Sequence, residues 1–239
     1  MNPVLRSELR YRLGGSRAVA AHTVVLAVLA VLALLALPPD VGREEVRREG
    51  LVIAVLVVAA ASVTYVASAS GCGEIVMNGE KPAWDLAASS LRAGDIAAGK
   101  VLSAGALAAL QTALAAPFLV VTAGLRGDSP VLVGQAAVVI VPVATAAGAA
   151  GSLYAALLES DVLRSLAHWT TVGVRFLVPS ALPAPWSLAG PVPALSALVR
   201  EGWRPVHGLV AAGYLAVAAG CGMLLRLRVQ AIRRRWVRE

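Results

Sequence analysis

Charged residues are scarce in this sequence, and those present are clustered. They make up 15% of the 239 residues, whereas hydrophobic residues make up 58%. A soluble domain carries about 25% charged and about 45–50% apolar residues. The sparse charges leave long uncharged runs, and about 20 apolar residues are enough to cross the ~30 Å hydrocarbon core of a bilayer. The composition therefore excludes an ordinary soluble domain and predicts an all-α integral membrane protein.

Residues that carry catalytic or metal chemistry are also few. The two cysteines, Cys72 and Cys221, do not indicate a disulfide framework. His22, His168 and His207 have no cysteine or acidic residue at ligand spacing, so no metal site is predicted. The apolar runs contain no Asp or Glu, unlike the spans of proton-coupled carriers, and no paired catalytic residues. The chain is therefore predicted not to be an enzyme.

The apolar segments predict six transmembrane helices in a single transmembrane domain that covers residues 1–239. The fifth segment contains Arg175 and several prolines, so it is predicted to be a broken or shortened span. The Pro-rich stretch 177–204 is too apolar for an exposed loop and predicts short re-entrant helices in the outer leaflet. The predicted spans are residues 18–37, 51–73, 101–125, 129–158, 165–185 and 205–225.

The basic residues indicate an orientation. Those before the first span, after the last span and in the loops on the same side outnumber those on the opposite side. Because basic residues accumulate in cytoplasmic loops, both termini are predicted to be cytoplasmic, in a multi-pass protein of the plasma membrane. The net charge of +7 is explained by contact with anionic lipid headgroups, so no nucleic-acid partner is expected.

The N-terminal residues 2–17 carry leucine at every fourth position. Leu5, Leu9 and Leu13 form one apolar stripe, and arginines occupy the other faces. This pattern predicts an interfacial helix that lies in the headgroup plane. The alternative is a plain basic flank that only orients the first span.

The cytoplasmic loop 73–100 is longer than a simple connection requires. Pro82 fits the first turn of a short helix that would expose Trp84 among charged residues. An exposed aromatic residue flanked by charges is typical of a protein-binding surface. Trp84 is equally compatible with the aromatic belt at the membrane interface.

Residues 94–100 fit the first seven positions of a phosphate-binding G-x-x-x-x-G-K loop. The eighth position is Val101, so the hydroxyl that ligates Mg²⁺ is missing, and no strand precedes the segment. The chain is therefore predicted to bind no nucleotide, and any ATP it uses is expected to be hydrolysed on a separate subunit.

The loop resembles the corresponding loop in permease subunits of type-2 ABC exporters. The N-terminal segment is similar to the connecting helix of that family, and residues 177–199 are similar to its re-entrant outer helices. The loop positions that match are Glu80 and Lys81 for an acidic/basic pair, Trp84, Asp85 and Leu86 for the middle run, and Asp95, Gly99 and Lys100 for the start of the third span.

The resemblance implies a division of labour between subunits. The loop would form a coupling helix that docks on a separate ABC ATPase, which holds the ATP and Mg²⁺, and a second permease subunit would complete the path. The path would carry a hydrophobic or amphipathic substrate. The docking residues would be Glu80, Lys81, Trp84, Asp85, Leu86, Arg92 and Asp95.

Arg175 is the one charged residue predicted inside a span. It is either a helix-end residue whose charge reaches the interface or a residue of the substrate path. The alternative function is a stand-alone six-span carrier or channel, which needs a polar interior. The polar residues that the sequence offers for one are Gln111, Thr112, Gln135 and Tyr154.

Overall fold

The computed structural model describes residues 2–7, 23–24, 27–28, 31, 45–73, 90–158, 160–183 and 186–236. Within these ranges the chain is helical apart from short turns and contains no strand. The helices are α1 (Glu45–Gly73), α2 (Ala93–Arg126), α3 (Val131–Leu157), α4 (Asp161–Leu177), α5 (Pro191–Glu201) and α6 (Pro205–Trp236), with 3₁₀ turns at Pro179–Ala181 and Trp186–Ala189. Residues 3–7 form a separate N-terminal helical turn.

Four helices in the described part are long and apolar enough to cross a bilayer. They cover Glu49–Cys72, Ala93–Arg126, Val131–Leu157 and Pro205–Arg234. They correspond to the second, third, fourth and sixth predicted spans, so the predictions of an all-helical chain and of membrane embedding are confirmed. Most of the predicted first span and most of the predicted interfacial helix 2–17 lie outside the described residues.

Several boundaries differ from those expected. Helix α2 begins at Ala93, so the last part of the predicted loop 73–100 is helical and continuous with the following span. Residues 94–100 therefore form helical turns and not an open phosphate-binding loop. Helix α6 extends to Trp236, well past the predicted end at 225. Favourable helix propensity continues into the polar flanks, where hydropathy no longer marks a span.

The predicted fifth span is replaced by shorter elements. Helix α4 has 17 residues, which is about 26 Å of helix and less than the ~30 Å hydrocarbon core. Its end is fixed by Pro179, after which the chain makes two 3₁₀ turns and the 11-residue helix α5. Helix α5 packs back into the bundle, since Leu195 is fully buried and Leu198 is 1% exposed.

Helix α3 is the centre of the bundle and contacts α1, α2, α4, α5 and α6. Every residue from 142 to 153 is buried. Gly148 allows a close approach, because a Cβ built there would lie 2.6 Å from Ala104 Cβ and 3.0 Å from the carbonyl oxygen of Ala67. Small residues allow helix backbones to approach this closely in membranes.

Two sets of small residues at four-residue spacing behave differently. Ala144, Gly148 and Ser152 are buried inside the bundle. The set on α6, formed by residues 212, 216 and 220, is exposed, and a Cβ built on Gly220 would meet nothing within 4 Å. Spacing alone does not tell which helix face meets a neighbour.

His207 attaches α5 to the start of α6. It is completely buried, its Nε2 lies 3.1 Å from the carbonyl oxygen of Ala194, and its Nδ1 accepts a hydrogen bond from the Arg204 amide at 3.0 Å. The ring of Trp203 stacks on it with a centroid distance of 5.3 Å. With Nδ1 as acceptor, Nε2 carries the proton and donates to Ala194. His207 is therefore a structural residue.

Candidate functional site

Helix α4 turns four of its polar residues inward and most of its large apolar residues outward. Arg164 and His168 are 6% and 5% exposed, and Thr171 and Arg175 are partly buried on the same face. This spacing of four, three and four residues puts the four side chains on one stripe of a helix. The outward residues include Val162 at 75%, Leu166 at 61%, Trp169 at 57% and Leu177 at 72% exposure.

Such an arrangement is unfavourable in water, where the apolar stripe of a helix faces the core. It is favourable where the surroundings are lipid, because ionisable residues in membranes face the bundle interior or a cavity. We define the inward face of α4, formed by Arg164, His168, Thr171 and Arg175, as the polar stripe. It is the candidate functional site.

The first two residues of the polar stripe have partners on α1 and on α4 itself. His168 Nδ1 and Ser68 Oγ are 2.7 Å apart, and Ser68 is fully buried. The His168 ring also contacts the ring of Tyr65, with centroids 5.0 Å apart. Arg164 forms an ion pair with Asp161 one turn earlier in the same helix. This half of the polar stripe is therefore a packed contact between α4 and α1.

The other half of the polar stripe faces α3 and α6. Tyr154 on α3 and Thr171 share a hydrogen bond of 2.8 Å. Arg175 Nη2 donates to the carbonyl oxygen of Ala146 at 3.3 Å. Its guanidinium carbon lies 5.9 Å from the centroid of the Tyr214 ring on α6, within the range of a cation–π contact.

Arg175 lies at depth in the bundle. Ala146 is near the middle of α3, so the guanidinium points into the bundle and not along the helix towards an interface. The Tyr214 hydroxyl donates to the carbonyl oxygen of Ala189 at 3.0 Å. Tyr214 therefore contacts both Arg175 and the segment of 3₁₀ turns that follows α4.

The structure describes only two of the seven predicted docking residues. Glu80, Lys81, Trp84, Asp85 and Leu86 lie outside the described residues. The other two predicted docking residues stand at the start of α2 and are exposed. The carbonyl oxygen of Arg92 accepts hydrogen bonds from the amides of Asp95, at 2.9 Å, and of the next residue, at 3.1 Å. The structure thus brings Arg92 and Asp95 together.

The start of α2 is held by the N-terminal turn. The side-chain amide of Asn2 donates to the carbonyl oxygen of Asp95 at 2.8 Å. Val4 is 5% exposed and packs against Gly99, where a built Cβ would lie 2.6 Å from Val4 Cβ. We call this region the loop junction. Its apolar residues are Val4, Ala93, Ile96, Ala97, Leu153, Leu225 and Val229.

Sequence reasoning identified Arg175 but not the rest of the polar stripe. The signal was available, because Arg164, His168, Thr171 and Arg175 share one face of the helix. Ser68 carried no such signal, since a serine in an apolar span is common and only the tertiary contact with His168 distinguishes it. Among the described residues no group of three or more His, Cys, Asp or Glu side chains is placed to hold a metal ion.

The chain matches no protein-family model and no curated protein. The geometry and the sequence pattern are therefore the basis of the functional proposal.

Proposed function

We propose that this chain is the transmembrane subunit of an ATP-driven ABC exporter. In this proposal it forms half of the path for a hydrophobic or amphipathic substrate and docks a separate ATPase subunit through residues 73–100. ATP and Mg²⁺ are bound by that ATPase, and a second permease subunit completes the path. The protein resides in the plasma membrane with both termini in the cytoplasm.

The observation that carries the proposal is the loop junction. Residues 93–100 are the first turns of a helix that continues to Arg126, so a displacement of the docking loop moves a whole span. The same turns are bonded to Asn2 and packed against Val4. Arg233 near the end of α6 also donates to the carbonyl oxygen of Leu91 at 2.5 Å. A force applied at the loop is thus transmitted to α2, α6 and the N-terminal turn.

ATP can drive this movement of the loop and helices only if it binds more tightly to one of two conformations of the complex. Closure of two ATPase subunits would tilt the loop junctions and with them α2 and α6. The 3₁₀ turns and α5, which follow α4, lie at the opposite end of the bundle, where Arg126 donates to the carbonyl oxygen of Val199 and Arg200 pairs with Glu49. These short elements can rearrange without unfolding a full span, as an opening path requires.

The polar stripe supports a second candidate, a stand-alone carrier or channel. Such a protein needs polar groups inside the bundle, and His168, Thr171 and Arg175 supply them. The two candidates differ in their need for a partner. A stand-alone carrier moves substrate when only this chain is reconstituted, whereas the exporter subunit requires an ATPase.

Co-purification with a co-expressed ABC ATPase tests the exporter proposal. The docking variant combines Trp84→Ala with Asp85→Lys, and we expect it to lose both association and stimulation of ATP hydrolysis. The matched control combines Trp186→Ala with Glu201→Lys, because both residues are exposed and lie at the other end of the bundle. Undiminished association and ATPase activity in the docking variant would contradict the assigned docking surface.

A further inference from the structure

Arg175 is a cation in the interior of the bundle without an anionic partner among the described residues. The ion pairs of the described part join Arg126 to Asp128, Arg164 to Asp161, Arg200 to Glu49 and Arg204 to Glu201. Arg164 therefore has a carboxylate partner, whereas Arg175, on the same stripe, has none in the part of the chain that the structure describes. A charged side chain at membrane depth is expensive and marks a pathway or a binding site.

The hydrogen-bonding capacity of Arg175 is only partly used. A guanidinium carries five N–H donors. Nη2 donates to the carbonyl oxygen of Ala146, while Nη1 is buried with no partner among the described residues. The Tyr214 ring covers one side of the guanidinium at 5.9 Å. A carbonyl dipole and an aromatic face are weak partners for a full charge, so the chemistry of this site favours an anion with at least one acceptor oxygen.

Exposed apolar side chains follow Arg175 on α4 and Tyr214 on α6. Val178, one turn after Arg175 on the chain, is 48% exposed, and Val217, one turn after Tyr214, is 47% exposed. A ligand whose anionic group reaches Arg175 therefore has apolar surface beside it on both α4 and α6.

We propose that Arg175 binds the anionic group of an amphiphile, a carboxylate or phosphate attached to an apolar chain. Nη1 and Nη2 donate to its oxygens, and the chain lies along the exposed residues of α4 and α6. The identification of this ligand as the exported substrate rests on the proposed function, whereas the binding site itself does not. The same anionic chemistry is found in a free amphiphile and in an anionic bilayer lipid.

A pair of probes that differ only in charge tests the site. The full chain is placed in phosphatidylcholine nanodiscs, and energy transfer from tryptophan to 11-(dansylamino)undecanoic acid is titrated beside its methyl ester. We expect saturable binding of the acid, about tenfold or more tighter than that of the ester, because charge-assisted hydrogen bonds are lost in the ester. Arg175→Gln is expected to bind the acid as weakly as the ester, and Arg175→Lys to retain part of the preference.

The matched control is Arg200→Gln. It removes an exposed arginine in the last turn of α5 that is paired with Glu49. It is expected to leave the preference for the acid unchanged. A second arm repeats the titration with phosphatidylglycerol in the nanodisc. If phosphatidylglycerol competes with the acid, the occupant is a bilayer lipid; if it does not compete, the occupant is a free amphiphile. Both outcomes support an anion-binding site at Arg175.

Equal binding of acid and ester by the unmodified protein overturns the proposal, and so does an unchanged preference in Arg175→Gln. If Arg175→Gln does not fold, the comparison of acid and ester on the unmodified protein still decides the question. Failure of the ATPase co-purification leaves this result untouched, because the nanodisc experiment contains no ATPase. The two proposals therefore fail separately.

Discussion

His168 and Ser68 share a hydrogen bond of 2.7 Å between two helices that are far apart in the chain. Ser68 is fully buried on α1, and His168 is 5% exposed on α4. The contact attaches the short helix α4 to the body of the bundle. It also anchors the polar stripe that ends at Arg175.

Ser68→Ala should destabilise the protein. The substitution leaves both nitrogens of a buried imidazole without a partner, because Nε2 already has none in the described part of the chain. An unsatisfied buried group costs about 1–3 kcal/mol. Thermal unfolding in a neutral detergent measures the effect. The control Ser165→Ala, at an exposed position on α4, should be neutral, and equal melting of both variants would contradict the assignment.

The double variant Ser68→Ala with His168→Leu separates the hydrogen bond from the packing. Replacing both partners by apolar groups removes the unsatisfied nitrogens, so part of the stability lost in Ser68→Ala should return. Additive losses in the double-mutant cycle would show that the two side chains do not interact.

Gly148→Ala should destabilise the bundle and Gly134→Ala should not. Both glycines lie on α3, but a Cβ at Gly148 meets Ala104 Cβ at 2.6 Å, whereas a Cβ at Gly134 meets nothing within 4 Å. Overpacking a tight helix contact costs about 1–3 kcal/mol. In the open position alanine raises helix propensity by up to about 1 kcal/mol. Guanidine or thermal unfolding of the two variants gives the comparison.

Asn2→Ala should release the N-terminal turn from the loop junction. Asn2 Oδ1 accepts from the amide of Val4 at 2.9 Å, which caps the turn, while Nδ2 donates to the carbonyl of Asp95 at 2.8 Å. Hydrogen exchange in residues 3–7 should increase. Asn2→Asp keeps the cap but removes the donor, so it isolates the contact with Asp95. Unchanged exchange in Asn2→Ala would show that the turn is held by Val4 alone.

His207→Ala should loosen α5 without dissolving the other helices. It removes the hydrogen bond to Ala194 and the stacking of Trp203. Hydrogen exchange should rise in residues 191–204 and stay constant in α3. The control Trp186→Ala truncates an exposed side chain, 69% accessible, in the neighbouring turn. A global loss of protection in His207→Ala would instead assign His207 to the core of the whole bundle.

Hydropathy and charge spacing determined much of this protein. They predicted a helical membrane protein and located four of its long helices, because a span must be long and apolar whatever its neighbours. Prolines at 179 and beyond marked the segment where the fifth span breaks, since proline removes a backbone donor and clashes with the preceding turn.

The tertiary structure decided which faces of those helices meet. Two sets of small residues have the same spacing, yet Gly148 is buried in the bundle and Gly220 is exposed. In the sequence His168 is an isolated histidine, and only the packing of α1 places Ser68 beside it. The direction of the Arg175 guanidinium, towards the carbonyl oxygen of Ala146 on α3, is likewise set by the tertiary structure. In a span, nearly every face is apolar, so the sequence carries little information about which face packs; that choice depends on the shapes of the neighbouring helices.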